Sequence, residues 1–164
     1  MRLLENKDEC PLRVRWRPIV TDAALLRQVS LPVEDWHTVT DLVEELAGIC
    51  MHHAAFGLAA PQIGELTRVI VINIPIDGVF RVMGFINPEI TWRSQEKETL
   101  TEACLSLPGV RHKVRRPRKI RLKFIGGDGI AREVGADGAA ARALQHEIDH
   151  LDGILITDRS KGLN

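Results

Sequence analysis

Two histidines four residues apart constrain this chain more than any other feature. They lie in the segment His146-Glu147-Ile148-Asp149-His150, and residues at this spacing share one face of a helix, where both imidazoles can bind one metal ion. Glu147, next to the first histidine, is then placed to act as a general base on an attacking water, as in metal-dependent hydrolases. The segment predicts a helix that carries two metal ligands and a catalytic base.

The sequence around this segment favours a helix. Residues 139–145 are mostly good helix formers, Asp137-Gly138 before them is a start signal, and Gly153 after them suits a helix end. The alternative is an ordinary surface helix with two solvated histidines. A third ligand elsewhere in the chain would separate the two interpretations, because catalytic zinc and iron centres usually have three protein ligands and one open position.

The strongest candidate for this third ligand is one of the three cysteines, Cys10, Cys50 and Cys104. An odd number of cysteines without an export signal predicts free thiols rather than disulfides. Cys10 lies in a polar segment and Cys50 on an apolar helical stripe, so neither suggests a ligand. Cys104 lies in a polar, non-helical segment and is the strongest candidate. His52 and His53 are poor competitors, because adjacent residues of a helix point about 100° apart.

The composition is that of a soluble globular chain. Of 164 residues, 45% are hydrophobic and 27% are charged, and acidic and basic residues balance at 22 each. This length predicts one domain, 1–164, in which residues 1–30 form an extended N-terminal arm. Balanced charge gives no global reason to expect nucleic acid, and no apolar segment approaches the roughly 20 residues of a membrane span. We expect a cytoplasmic monomer with no membrane partner and no specific DNA target.

Hydrophobic periodicity predicts helices at both ends of the chain and strands between them. Apolar residues recur three and four apart from Val33 to Phe56, as in an amphipathic helix. Strands are predicted at 68–74, at 79–90 as one strand or a strand pair, and at 119–125 and 130–134 as a hairpin. Short connections favour antiparallel pairing, so the predicted fold class is α+β, with antiparallel β-sheets surrounding a central metal-binding helix.

One basic segment stands out against the balanced charge. It reads Arg111-His112-Lys113-Val114-Arg115-Arg116-Pro117-Arg118-Lys119. A solvated loop and strand edge is the favoured interpretation, and binding of ribosomal RNA or of a substrate carboxylate is the alternative.

Three segments of the chain form a set of motifs: Gly57-Leu58-Ala59-Ala60-Pro61-Gln62, Glu102-Ala103-Cys104-Leu105-Ser106 and Gln145-His146-Glu147-Ile148-Asp149-His150. In their sequences, order and separations, these motifs resemble those of the peptide deformylases. The resemblance extends from about Val33 to the C terminus. It implies the deformylase α+β fold and removal of the formyl group from N-formylmethionyl peptides and nascent chains, with a transient ribosome contact.

The resemblance also implies roles for residues of the site. One divalent metal ion would be bound by Cys104, His146 and His150. The family favours iron(II), and zinc, nickel or cobalt suit the same ligand types and are expected in purified protein. Gln62 through its side-chain amide and Leu105 through its backbone N–H would donate hydrogen bonds to the oxyanion. Glu147 would move the proton from water to the leaving amine.

The remaining implied roles concern the substrate. Gly57 lies in a loop that would pair with an extended peptide as a strand does. The methionine pocket would be lined by Phe56, Leu100, Ala139 and Ala143, for which a plain core role is the alternative. Arg111 falls near the expected path of the peptide. Glu102 and Arg116 are expected to form a structural ion pair beside the ligand loop.

The chain departs from the family pattern at Ala55 and Ala103, where the family usually has glycine. Each methyl group would narrow the peptide groove or, where φ is positive, add strain of about 1 kcal/mol. Two alternatives to nascent-chain deformylation therefore stay open. One is a deformylase-like hydrolase of another N-formyl or short N-acyl amine, and the other is a catalytically weak metal-binding, ribosome-associated module.

Overall fold

The computed structural model describes residues 17–76 and 79–160. Residues 1–16, which include Cys10 and the first part of the predicted N-terminal arm, lie outside the described residues. Residues 17–30 are not extended throughout, because they contain the short helix α1 (Ala23–Leu26). The Asp22 carboxylate caps this helix by accepting a hydrogen bond from the Ala24 N–H at 2.8 Å.

The first long helix is shorter than the predicted segment 33–56. A 3-10 turn at Trp36–Val39 leads into α2 (Thr40–His52). The helix ends because Ala54 has a left-handed φ of 49°, which lets the Ala55 N–H donate to the Cys50 carbonyl at 2.9 Å. Such a closing turn usually contains glycine, and an alanine there carries about 1–2 kcal/mol of strain.

Within the described residues, seven strands and two further helices follow α2. The strands are β1 (Gly57–Ala59), β2 (Val69–Ile76), β3 (Val79–Arg93), β4 (Lys97–Cys104), β5 (Leu107–Pro117), β6 (Lys119–Ile125) and β7 (Ala131–Asp137). A 3-10 turn occupies Ala60–Ile63, and the helices are α3 (Gly138–Leu151) and α4 (Ile156–Arg159). One antiparallel sheet has the order β1-β2-β3-β6-β7, and β4 pairs with β5 in a separate hairpin. The predicted α+β class with antiparallel sheets is confirmed.

The five-stranded sheet is covered by a helix on each face. Along β2, Ile70 and Ile72 are in the apolar cluster that contains the buried face of α3. Val69 and Val71 are in the cluster that contains the buried face of α2. Alternate residues of a strand point to opposite faces, so a continuous apolar run such as β2 is stable only when both faces are covered. Each aliphatic side chain buried in this way contributes about 1.5–3 kcal/mol.

The β4–β5 hairpin lies on the other side of α3 and is absent from the strands predicted above. The chain leaves the five-stranded sheet after β3 and returns at the same place, since the Ser94 N–H donates to the Lys119 carbonyl at 2.9 Å. Of the segment 111–119, predicted to be a solvated loop and strand edge, residues 111–117 lie in strand β5. Residues 145–151 of α3 are all buried, because the sheet and the hairpin enclose them. None of the helices among the described residues combines the length and the apolarity that crossing a membrane requires.

Candidate metal centre

The structure brings the three predicted metal ligands together. The ligand atoms of Cys104, His146 and His150 all lie within 4.8 Å of one another. Cys104 ends β4, the two histidines lie one turn apart on α3, and the Cys104 Sγ is 3.2 Å from the His150 Nε2. One thiolate and two imidazoles form the donor set of catalytic zinc and iron centres that keep one position open. The residues fit a divalent ion.

Both histidines are nearly enclosed, with different surroundings. The Nδ1 of His146 is 3.0 Å from the Glu102 carboxylate, an arrangement that orients the ring and leaves its other nitrogen for the ion. Burial opposes charge on His146, but hydrogen bonds to Cys104 and Glu102 outweigh it and raise its pKa to about 10. Coordination therefore releases a proton from this ring. Burial lowers the pKa of His150 to about 3, so this ring is neutral, as a ligand must be.

A buried ion-pair network supports the ligands. Arg116 donates to the two carboxylate oxygens of Glu102 at 2.7 and 2.9 Å and to Asp149 at 2.7 Å. The predicted pair between Glu102 and Arg116 is thus confirmed. Burial opposes charge on Glu102, but its hydrogen bonds to His146 and Arg116 lower its pKa to about 2. Glu102 therefore remains a carboxylate and keeps its bond to the ligand histidine.

Three charged residues of this network have no role in the sequence analysis. Arg142 donates to Glu102 at 2.6 Å, and it also binds the carbonyls of Val114 at 3.1 Å and Glu98 at 2.8 Å. Asp149 and Arg159 form an ion pair between α3 and α4. Arg142 lies four residues before the first histidine, on the same helix face, and this spacing indicates that it is close to the ligands. The residues that Arg142 binds could not be predicted, because they lie in the hairpin, which was not predicted either.

Glu147 is held in a buried cleft beside β1. The residue is only 4% exposed, its Oε2 has no hydrogen-bond partner among the described residues, and burial raises its pKa to about 7. A Cβ added at Gly57 would lie 2.7 Å from the Glu147 Oε1 and 2.8 Å from its Cγ. Gly57 therefore allows the strand to approach the glutamate closely. Its strand is also an edge of the sheet, which leaves one side of the backbone for an extended peptide.

The Gln62 amide is fixed with its N–H side toward the ligand cysteine. Its Oε1 accepts a hydrogen bond from the Ala59 N–H at 2.9 Å. Its Nε2 lies 3.5 Å from the Cys104 Sγ and donates to the Ser106 Oγ at 3.2 Å. Ser106, which is buried, had no predicted role. Leu105 follows Cys104 in the turn between β4 and β5, so both predicted oxyanion donors lie next to the ligand cysteine.

The predicted pocket residues are partly gathered around the site. Ala139 and Ala143 lie on the helix face that carries the ligand histidines, with Ala139 exposed and Ala143 at the edge of the core. Leu100, 45% exposed, is on the face of β4 that carries the ligand cysteine. Phe56 immediately precedes β1 and is 64% exposed. Arg111 is exposed and lies opposite Ala103 in the hairpin.

The two alanines that replace family glycines have ordinary backbone conformations. Neither Ala55 nor Ala103 has a positive φ, whereas the neighbouring Ala54 does. The backbone strain that a positive φ would cause is therefore absent at Ala55 and Ala103, and it occurs instead at Ala54, at the end of α2. The Ala55 carbonyl accepts from the Cys50 thiol at 3.3 Å and from the Asn73 amide at 3.3 Å, so this segment is tied to α2 and β2.

Comparison with known proteins agrees with this geometry. The family model described as polypeptide deformylase matches residues 16–164. The chain belongs to the polypeptide deformylase family. It is 40% identical over 138 residues to the peptide deformylase of Bartonella tribocorum, covering 82% of this chain and 78% of the relative.

Solved structures of deformylases have the same fold. The crystal structure of peptide deformylase from Thermotoga maritima has a TM-score of 0.81 at 34% identity and covers 88% of this chain and 96% of that chain. For the peptide deformylase from Ehrlichia chaffeensis the TM-score is 0.82 at 34% identity, with 89% and 88% covered. The predicted family, fold class and hydrolase activity are confirmed, and the family is metal-dependent.

Proposed function

We propose that the protein hydrolyses the N-formyl group of the N-terminal formylmethionine on newly made polypeptides and releases formate, with one divalent ion bound by Cys104, His146 and His150. The observation that carries the proposal is the buried carboxylate of Glu147, adjacent in the chain to one ligand and packed against the edge strand β1. A base beside three converging ligands is the arrangement that metal-assisted hydrolysis of an amide needs.

The residues of the chain share the chemical work. When bound, the ion would act as a Lewis acid toward the formyl carbonyl and the attacking water. Glu147, whose pKa burial raises to about 7, accepts a proton from the water near neutral pH and gives it to the leaving amine. The Gln62 amide, oriented by the Ala59 N–H, and the Leu105 N–H donate to the oxygen that gains negative charge.

The substrate would lie along β1. Its backbone would pair with the free edge of the strand at Gly57, and its methionine side chain would enter a pocket formed by Phe56, Leu100, Ala139 and Ala143. Support comes from the exposure of Phe56 and Leu100, since large apolar side chains exposed near a site often contact a ligand.

We assign iron(II) as the native ion, a cytoplasmic location, a monomeric state and a transient contact with the ribosome. The ligand types suit iron, zinc, nickel and cobalt alike, and the resemblance to the family favours iron(II). An iron–thiolate centre is sensitive to oxygen. Protein prepared without oxygen and loaded with iron(II) or nickel should therefore be more active than matched zinc-loaded protein, and equal rates would contradict the iron assignment.

Formate release from formyl-Met-Ala-Ser is the direct test. Iron- or nickel-loaded protein should turn over, and Glu147→Gln should lose about 10²–10⁴-fold in kcat while it keeps its metal. Glu133→Gln, which changes an exposed glutamate of β7, is the matched control and should have normal activity. No turnover by folded, metal-loaded protein would refute the proposal. Faster turnover of formylated small amines than of the peptide would point to the alternative substrate class.

A further inference from the structure

The β4–β5 hairpin has a solvent-facing side on which every charged residue is basic. Strand register places eight residues on this outer face, which points away from α3: Lys97, Thr99, Thr101, Ala103, Arg111, Lys113, Arg115 and Pro117. All of them except Pro117 are exposed. Of the alternate neighbours, Glu102, Cys104, Val114 and Arg116 are buried against α3 and α4, whereas Glu98 and Leu100 are exposed. The outer face therefore has no structural contact to make within the described part of the protein.

The four cations of the outer face also lack an ion-pair partner. The salt bridges among residues 17–76 and 79–160 involve none of Lys97, Arg111, Lys113 or Arg115. No carboxylate belongs to the face. Like charges at this density repel one another, so a protein with no net charge gains nothing in its own stability from grouping them.

The five-stranded sheet, unlike the outer face of the hairpin, has cations that lie opposite acidic residues of neighbouring strands. On β6, Lys119 lies opposite Asp137, and Lys123 lies opposite Glu133 on one side and Glu89 on the other. Two of the three cations on this face of β6 are thus matched by acids across the strands, whereas Arg121 lies opposite Gly135 and Trp92. The contrast identifies the outer face of the hairpin as a surface for an anion outside the chain.

The spacing and the neighbouring residues indicate phosphate groups. Arg111, Lys113 and Arg115 alternate along β5, so their side chains repeat every 6.6–6.8 Å or so along the strand. Opposite them, Thr99 and Thr101 supply hydroxyl donors, and arginine, lysine and threonine side chains are common phosphate contacts of nucleic-acid-binding proteins. A row of regularly spaced donors suits the regular phosphates of a nucleic-acid strand.

We propose that the outer face of the β4–β5 hairpin binds the phosphate backbone of RNA without reading its sequence. The face has no aromatic residue on which a base could stack and no large apolar residue that would enter a membrane, which favours backbone contact over base recognition and over lipid. This inference rests on the proposed function, because a protein that acts on nascent chains meets ribosomal RNA around its substrate. Cys104, on the opposite face of the same hairpin, would then be held close to the RNA surface.

Binding of a fluorescein-labelled single-stranded RNA, measured by anisotropy against salt concentration, tests the proposal with full-length, metal-loaded protein. Four phosphate contacts predict a slope of log K against log salt of about −2.8, from about −0.7 for each contact. The triple variant Lys97→Gln, Lys113→Gln, Arg115→Gln should reduce the slope to about −0.7. The control variant Arg93→Gln, Arg121→Gln, Lys123→Gln removes the same charge from the five-stranded sheet and should retain most of the slope.

Deformylation of a free formyl-Met peptide should be equal in the triple variant and in the unmodified protein, so failure of RNA binding and failure of the proposed function are separate results. Equal RNA binding by the two triple variants would overturn the proposal. It would also be overturned if vesicles containing phosphatidylserine, or polyglutamate, bound as tightly as RNA and with the same dependence on the three cations.

Discussion

Gly57→Ala should reduce catalysis by displacing Glu147 without touching the metal ligands. The added Cβ would lie 2.8 Å from the Glu147 Cγ and 3.0 Å from its Cδ, whereas carbon atoms pack comfortably at about 3.5 Å or more. Glu147 must therefore move by about 0.7 Å. It cannot swing into solvent, because it is buried among β1, α2 and α3. A misplacement of about 1 Å lowers rates by about 10²-fold, so we expect a 10- to 100-fold loss in kcat.

A second glycine of the same sheet provides the control. A Cβ at Gly84 on β3 would lie 2.6 Å from the Val43 Cγ1 of α2, a comparable clash on the opposite face of the sheet from the site. Overpacking of this kind destabilises by about 1–3 kcal/mol, which lowers Tm by about 2–12 °C in a chain of this size. Both variants should show this loss of stability.

The assay is formate release at saturating substrate, with metal content and Tm measured on each preparation. Only Gly57→Ala should combine normal metal content with reduced kcat, and Gly84→Ala should have normal kcat below its Tm. The reasoning is refuted if Gly57→Ala keeps more than half of the activity, or if the two variants lose activity in parallel with their Tm.

Three further outcomes are expected. Arg142→Met should weaken metal affinity by about 10–100-fold, because Arg142 fixes the Glu102 carboxylate that orients a ligand; competition with a chelator measures this, and unchanged affinity would contradict it. Removing the ion from a sample that contains it at about 100 times Kd should lower the free energy of unfolding by about 2.7 kcal/mol, which lowers Tm by about 5–11 °C. Calorimetry of Cys104→Ala should show a much smaller dependence of Tm on the metal. Burial raises the pKa of the Cys50 thiol to about 12 from an ordinary 9.0. The buried thiol therefore contributes to the free energy of unfolding below pH 9, and this contribution is lost as the pH rises toward 12. Mass spectrometry after iodoacetamide at mildly alkaline pH should find Cys50 unlabelled in folded protein, and rapid labelling would show that the thiol is accessible.

The metal helix was predictable because its signals are local. The i, i+4 histidines, the helix formers before them and the glycine after them all lie within a few turns of one another. The apolar run of β2 was equally clear, since burial on both faces leaves a continuous stretch of β-branched residues. The end of α2 was less predictable, because Ala54 is a good helix former and only its left-handed φ stops the helix.

The hairpin was not predictable from apolar alternation, because its inner face is largely polar. Glu102 and Arg116 occupy positions where a sheet ordinarily places aliphatic side chains, and they are satisfied by each other and by Arg142, His146 and Asp149 of α3. A sequence shows each charge but not its distant partner. For the same reason Arg142 and Asp149 have no predicted role, although both are bound into the network behind the ligands.

Residues 94–118 leave the five-stranded sheet and return to it at the same place, so relatives could exchange this segment as one unit. Ser94 and Lys119 are joined by a backbone hydrogen bond, so the five-stranded sheet is continuous whether this excursion is long or short. Grafting this segment from a relative would transfer the thiolate ligand Cys104, the carboxylate of Glu102 and the charged outer face of the hairpin together. Its acceptance by the recipient would depend on a few charged residues of α3, chiefly Asp149, which meets Arg116, and Arg142, which meets Glu102. The third metal ligand and the surface charge of such a protein can therefore be inherited, or engineered, as a single unit, while the two histidines and Glu147 belong to the recipient.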